Sequence, residues 1–157
     1  MPDYVLAEAE RRLLQALNDL GVRYIVVGMS AALMQGARGA TDDIDLWFEQ
    51  LDDPRIGEAT RSVGGIWISG SFGMRPPGIG GAVLGDRFDV VVHMHGLGAF
   101  TEEFAETHDM QIDDVRLRVL DLERIIVSKR SANRPKDQAQ LPALEEALAV
   151  KRSLTED

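Results

Sequence analysis

Two aspartates one residue apart, Asp43 and Asp45, stand in the otherwise apolar run Asp43-Ile-Asp-Leu-Trp-Phe48. Side chains of an extended strand alternate between faces, so Asp43, Asp45 and Trp47 share one face and Ile44, Leu46 and Phe48 the other. Aspartate is a poor strand former, and two acids on one face of so apolar a segment call for a compensating charge. Mg²⁺ supplies one, because it takes carboxylate oxygens together with water and substrate phosphates. A solvated strand face is the competing reading of the pair.

The phosphates would have a place to sit just upstream. Tyr24-Ile-Val-Val27 is an apolar, β-branched run that stops at Gly28 and reads as a buried strand ending in a turn. Gly28 allows close approach of backbone and ligand, and Ser30 can cap a short helix over Ala31 to Gln35, whose first free N–H groups would face an anion. Taken alone, Gly28-Met29-Ser30 is equally an ordinary strand, turn and helix with a serine cap. A third acid adds to the first two. In Arg87-Phe-Asp-Val-Val-Val-His93, Asp89, Val91 and His93 fall on one face, and Asp89 interrupts an apolar run. If that strand lies beside the first, three carboxylates converge, and their repulsion raises their pKa values unless cations occupy the site. Asp86 sits in a Gly-Asp turn, where aspartate is common for local reasons.

Together these segments resemble the polymerase-β-type nucleotidyltransferase superfamily. The resemblance is carried by Gly28-Met-Ser30, by Gly36-Ala-Arg38-Gly-Ala-Thr41-Asp-Asp43-Ile-Asp45-Leu, by Asp89, and by Lys129-Arg130-Ser-Ala-Asn-Arg134-Pro-Lys136-Asp137. Within the superfamily the chain looks most like small bacterial members: minimal nucleotidyltransferases and the abortive-infection group tied to toxin–antitoxin and phage-defence systems. The resemblance spans roughly residues 20 to 150. It implies that Asp43, Asp45 and Asp89 bind Mg²⁺ or Mn²⁺ and that Asp89 helps activate an attacking hydroxyl. Gly28, Ser30, Arg38, Lys129 and Lys136 would then hold a nucleoside triphosphate. Two departures stand out. Met29 separates the glycine from the serine, and the pattern's arginine is displaced to Arg38.

The C-terminal motif also reads on its own. Leu122, Ile125, Ile126 and Lys129 recur at helical spacing, which puts Lys129 at the end of an apolar stripe. There its ammonium either snorkels to water or points inward at a phosphate. Asp137 follows Pro135 at a helix start, where a carboxylate favours the N-terminal dipole; it is either a cap or an orienting group. His93 and His95, at strand spacing on the Asp89 face, could ligate a transition metal, but no third nitrogen ligand is near in sequence, and a strand-end pair near solvent is the plainer account.

The elements that must position these residues follow an α/β (α+β) order: a small mixed sheet with flanking helices in a nucleotidyltransferase fold. A helix at about residues 4 to 20 stops at Gly21, then come strand, short helix and acidic strand. Asp52 to Ser62 reads as helix, Ile66 to Ser69 as a short strand, and Arg75 to Gly81, with Pro76-Pro77 and three glycines, as a loop. The Asp89 strand follows, then a helical Glu102 to Thr107, a hairpin around Asp113-Asp114, and two C-terminal helices, the last broken or kinked by Pro142 near Leu141.

Composition bounds the answer further. At 157 residues with 45% hydrophobic content, the chain suits one globular domain over residues 1 to 157. It has no cysteine, which excludes disulfides and thiolate metal sites. Neither a membrane span nor a signal pattern is evident, so a cytoplasmic location is expected. The net charge of −9 disfavours extended duplex nucleic acid, although Lys129, Arg130, Arg134 and Lys136 form a local basic cluster. The expected function is Mg²⁺-dependent transfer of a nucleoside monophosphate to a hydroxyl of a protein, a small molecule or an RNA end. A cognate toxin or antitoxin would be a partner. The alternative is a non-catalytic nucleotide- or partner-binding module, which Met29 within the turn favours and retention of three acids opposes.

Overall fold

In the computed structural model, residues 4–70 and 76–155 are described. The central element is β1 (Tyr24–Val27), whose residues are all buried, as its β-branched composition requires. It is flanked by β2 (Ile44–Phe48), running antiparallel, and β7 (Val115–Leu120), running parallel. Outside these lie β5 (Phe88–Val91), parallel to β2, and β6 (Thr107–Ile112), antiparallel to β7. The result is a mixed five-stranded sheet in the order β5-β2-β1-β7-β6. The β6–β7 pair is the hairpin expected around Asp113-Asp114, with Asp113 in the left-handed conformation.

Helices cover the sheet. In α1 (Glu8–Asp19), Leu13, Leu14 and Leu17 recur on one face and are fully buried. Its first turn is closed by Glu10, whose Oε1 accepts the Ala7 N–H at 2.8 Å. The short α2 (Gly28–Met34) starts directly after β1. α3 (Pro54–Ser62) is two residues shorter at its start than the sequence reading, because Asp53 is its cap and accepts the Arg55 N–H at 3.0 Å, with Pro54 following. α4 (Phe100–Glu103) and a short 3₁₀ turn lead into β6, so the helical segment ends before Thr107, which is already in a strand. α5 (Leu122–Ala132) buries Leu122, Ile125 and Ile126. It ends on the left-handed Asn133, and α6 (Pro135–Thr155) follows at once.

Two sequence readings are corrected. Gly78–Gly80, read as loop, is a strand, β4, pairing antiparallel with β3 (Ile66–Ile68). The glycines hid it: the pairing is backbone-made, and Ile79 alone supplies a buried side chain. Arg75 of the same expected loop lies outside the described residues. Pro142 does not break the last helix, since α6 runs through it. Proline withholds one backbone hydrogen bond, but the Leu141, Leu144, Ala147 and Leu148 side chains pack into the core on both sides of it and hold the helix together.

Candidate active site

Register brings the acids together. The start of antiparallel β2 lies beside the end of β1, with Asp45 opposite Val27, and parallel β5 places Asp89 opposite Asp45. Asp43 precedes β2 on the same side. One carboxylate oxygen from each of Asp43, Asp45 and Asp89 lies within 4.8 Å of the others, and among the described residues this is the only such group of three or more metal-ligating side chains. The opposite face of β2, formed by Ile44, Leu46 and Phe48, is buried in the core as the alternation demands.

Such crowding is unfavourable without a cation. Burial, then the charges of Asp89 and Asp43, push the Asp45 carboxyl up to about 6, although Lys129 and the Ser30 hydroxyl pull the other way. Asp43 is also raised, first by burial and then by Asp89, Asp42 and Asp86. Three hard oxygen donors around one point, with part of their charge held off by repulsion, fit Mg²⁺ or Mn²⁺ and not a thiophilic metal.

Gly28 and Ser30 serve this acid cluster directly. Gly28 has φ +65°, and a Cβ built on it would stand 2.5 Å from Asp45 Oδ2. Ser30 is not the helix cap expected from the sequence: Val27 holds that position, and Ser30 lies within the first turn of α2. Its fully buried Oγ donates to the Val27 carbonyl at 2.9 Å and accepts the Asp45 N–H at 3.0 Å. The serine thus ties the start of α2 to the acidic strand. Met29 is also buried, and it lines the cleft beside Gly28.

The cleft over the acids has a volume of ≈ 340 Å³, and its far wall comes from α5 and α6. Lys129 does not snorkel. Its side chain is 13% exposed, and Nζ lies 3.3 Å from Oδ1 of the fully buried Asp137. Asp137 Oδ2 also accepts the backbone N–H of Arg134 at 3.1 Å and its Nε at 2.7 Å. Burial alone would raise this carboxyl, but the Arg134 side chain and backbone and then Lys129 outweigh it and hold it at about 2. Asp137 therefore closes the first turn of α6 and positions a largely covered lysine at once, so the two readings of it are one arrangement.

Lys129, Arg134 and Lys136 all line the cleft. Arg38 does not: it is exposed and forms an ion pair with Glu146 on α6. Arg130 likewise points outward, to Glu145. His93 and His95 line the cleft beyond the end of β5, packed edge to face at 5.0 Å between ring centroids. Sequence reasoning missed Ser128 and Gln140, which line it from α5 and α6. The available signal was spacing, since Gln140 falls one turn after Lys136 on the same helical face.

A mixed sheet with flanking helices, carrying an acidic cluster on β2 and the edge strand β5, has a nucleotidyltransferase-type fold. The crystal structure of ANT(2")-Ia in complex with adenylyl-2"-tobramycin is similar, with a TM-score of 0.59 over 90% of this chain and 88% of that one. At 16% sequence identity the likeness speaks for the fold. Residues 5–151 match the family described as "Nucleotidyltransferase of unknown function (DUF6036)", and the chain belongs to that family. No curated protein matches it. No helix among the described residues is long and apolar enough to cross a membrane.

Proposed function

We propose that the protein is a divalent-metal-dependent nucleotidyltransferase. It would move a nucleoside monophosphate from a nucleoside triphosphate to a hydroxyl of a small molecule and release pyrophosphate. The observation that carries this reading is the convergence of Asp43, Asp45 and Asp89 within 4.8 Å in a cleft walled by Lys129, Arg134 and Lys136. Held by the three carboxylates, Mg²⁺ or Mn²⁺ would lower the pKa of the acceptor hydroxyl and neutralise charge building on the leaving pyrophosphate.

The chain's own residues supply positioning and electrostatics. Gly28 lets the triphosphate approach the backbone next to the acids. Lys129, Arg134 and Lys136 face the phosphates, with Asp137 keeping the Lys129 ammonium in place. The acceptor oxygen attacks the α-phosphorus as the bond to pyrophosphate breaks, and Asp89, the most exposed of the three acids, takes the hydroxyl proton.

A small acceptor is favoured over an RNA end by the net charge of −9. The relative bound to adenylyl-2"-tobramycin, a nucleotidylated small molecule, supports the same choice. A role in a toxin–antitoxin or phage-defence system, with a cognate toxin or antitoxin, rests on the sequence resemblance alone. We take residues 1 to 157 to work as one domain.

The test uses α-labelled nucleoside triphosphates, Mg²⁺ and a panel of hydroxyl-bearing small molecules, together with a cell extract. Metal-dependent transfer of label with pyrophosphate release is expected from the wild type and not from an Asp43→Ala/Asp45→Ala variant. Equal labelling by both proteins would sink the proposal.

A further inference from the structure

The cleft wall opposite the acids contains an unused hydrogen-bonding group. Gln140 lines the cleft from α6, and its Oε1 is buried without any hydrogen-bond partner. A buried acceptor left unpaired is destabilising. Across the helix pair, Ser128 lines the same cleft from α5 and is buried. These two groups lie where α5 and α6 pack together, next to Lys129 and one helical turn beyond Lys136.

The other orphaned side-chain oxygen among the described residues makes a useful contrast. Gln35 Oε1 is also unpaired, but the Gln35 amide nitrogen donates to the Ala31 and Leu120 carbonyls at 3.0 and 2.8 Å. Gln35 therefore has a structural task, joining α2 to the end of β7, and it does not line the acidic cleft. Among the described residues no hydrogen bond engages the Gln140 side chain, and it does line that cleft.

We propose that Gln140, on the same cleft wall as Ser128, is the specificity-determining subsite for the nucleoside, its side-chain amide turning the buried oxygen into the cleft to accept a hydrogen bond from an N–H or O–H donor of the bound nucleotide. This rests on the nucleotidyltransferase reading above and deepens it. In this proposal the nucleoside lies along α6 past Lys136, with the phosphates on Lys129, Arg134 and Lys136. A nucleoside offers two kinds of donor, the ribose hydroxyls and the base amines. A site that needs a donor rejects an analogue lacking it, because the acceptor then stays buried and unpaired.

The test is calorimetric binding of triphosphates in Mg²⁺ to the wild type and to Gln140→Met, a near-isosteric change, alongside thermal melts of both apo proteins. The ligands are the four ribonucleoside triphosphates, their 2′-deoxy and 3′-deoxy forms, and a purine riboside triphosphate lacking the exocyclic amine. About tenfold weaker binding of the preferred triphosphate by the variant is expected, with an apo melting temperature equal to or above that of the wild type. The wild type should lose the same factor with whichever analogue lacks the donor that Gln140 reads, and the variant should be indifferent to that change. A ribose source shows in the deoxy series and a base source in the amine-free analogue. Unchanged affinity in the variant, or a lowered apo melting temperature with uniform weakening across all ligands, overturns the assignment to Gln140 alone. Absence of triphosphate binding by the wild type overturns the nucleotidyltransferase reading and this assignment with it.

Discussion

The carboxylate of Asp45 occupies the space that a side chain on Gly28 would need: a Cβ there would stand 2.5 Å from Asp45 Oδ2. The backbone of Gly28 is also left-handed, at φ +65°. Gly28→Ala should therefore act twice. The strained backbone should lower stability by about 1–2 kcal/mol, seen in urea denaturation. The displaced carboxylate should weaken Mn²⁺ binding at least tenfold in a direct titration. Loss of stability with metal affinity intact would show that the glycine serves the turn only.

The Asp45 carboxyl sits at about 6 in the fold against an ordinary 3.8, chiefly through burial and then Asp89 and Asp43. A group whose pKa rises on folding binds more protons in the native state. Its contribution is therefore favourable at low pH and is lost as pH climbs through the window from 3.8 to about 6. In metal-free buffer, Asp45→Asn should match the wild type near pH 4 and exceed it at pH 7 by up to roughly 3 kcal/mol. Mg²⁺ should narrow the pH 7 gap by stabilising the wild type. Denaturation curves at four pH values, with and without Mg²⁺, check both signs. A wild type that gains stability from pH 4 to 7 relative to the variant would contradict the argument.

The acids were readable in the sequence because strand alternation is a local rule and aspartate is out of place in an apolar strand. Their convergence was readable only conditionally, since nothing in residues 43–48 or 88–91 specifies that β2 and β5 are neighbours. Ser30 was misread as a cap. Its partners, the Val27 carbonyl and the Asp45 N–H, include a residue 15 positions away, and capping rules see only the local one. The strand at Gly78–Gly80 escaped for a related reason, because its pairing with Ile66–Ile68 is made by backbone and leaves almost no side-chain pattern. Whether Lys129 faces solvent or interior is set by the buried Asp137 beside it, which the apolar stripe of α5 does not specify.

That ion pair makes its own prediction. Asp137→Ala leaves the Lys129 ammonium with little solvent and without its ion-pair partner, and leaves the Arg134 N–H without its acceptor. Breaking one side of a buried pair is destabilising by roughly 3 kcal/mol or more. Lys129→Met keeps Asp137 paired to Arg134 and should lose much less, while reducing triphosphate affinity. Because Asp137 is held at about 2, the stability it confers should persist from neutral pH down to roughly pH 4 and fade as pH drops through 2. Melts of both variants paired with triphosphate titrations separate the two roles. Equal destabilisation by both would mean that Lys129 is structural as well.

Arg38 separates the resemblance from the geometry. By resemblance it would hold phosphate, yet its guanidinium is engaged by Glu146 on the outer side of α6 and is absent from the residues lining the acidic cleft. An exposed pair of this kind contributes roughly 0–1 kcal/mol and is screened further by salt. Arg38→Ala should consequently leave the melting temperature within about 2 °C and the apparent KM for triphosphate within about twofold, at low and high salt alike. Lys136→Ala, which removes a cation that does line the cleft, should raise KM several-fold, with the effect shrinking as salt rises. If Arg38→Ala raises KM as much as Lys136→Ala, the loop carrying Arg38 must swing from Glu146 to the phosphates on binding, and an Arg38→Ala/Glu146→Ala double variant would show it. Loss of Glu146 alone would then lower KM, because the arginine would no longer have to leave a partner to reach the substrate.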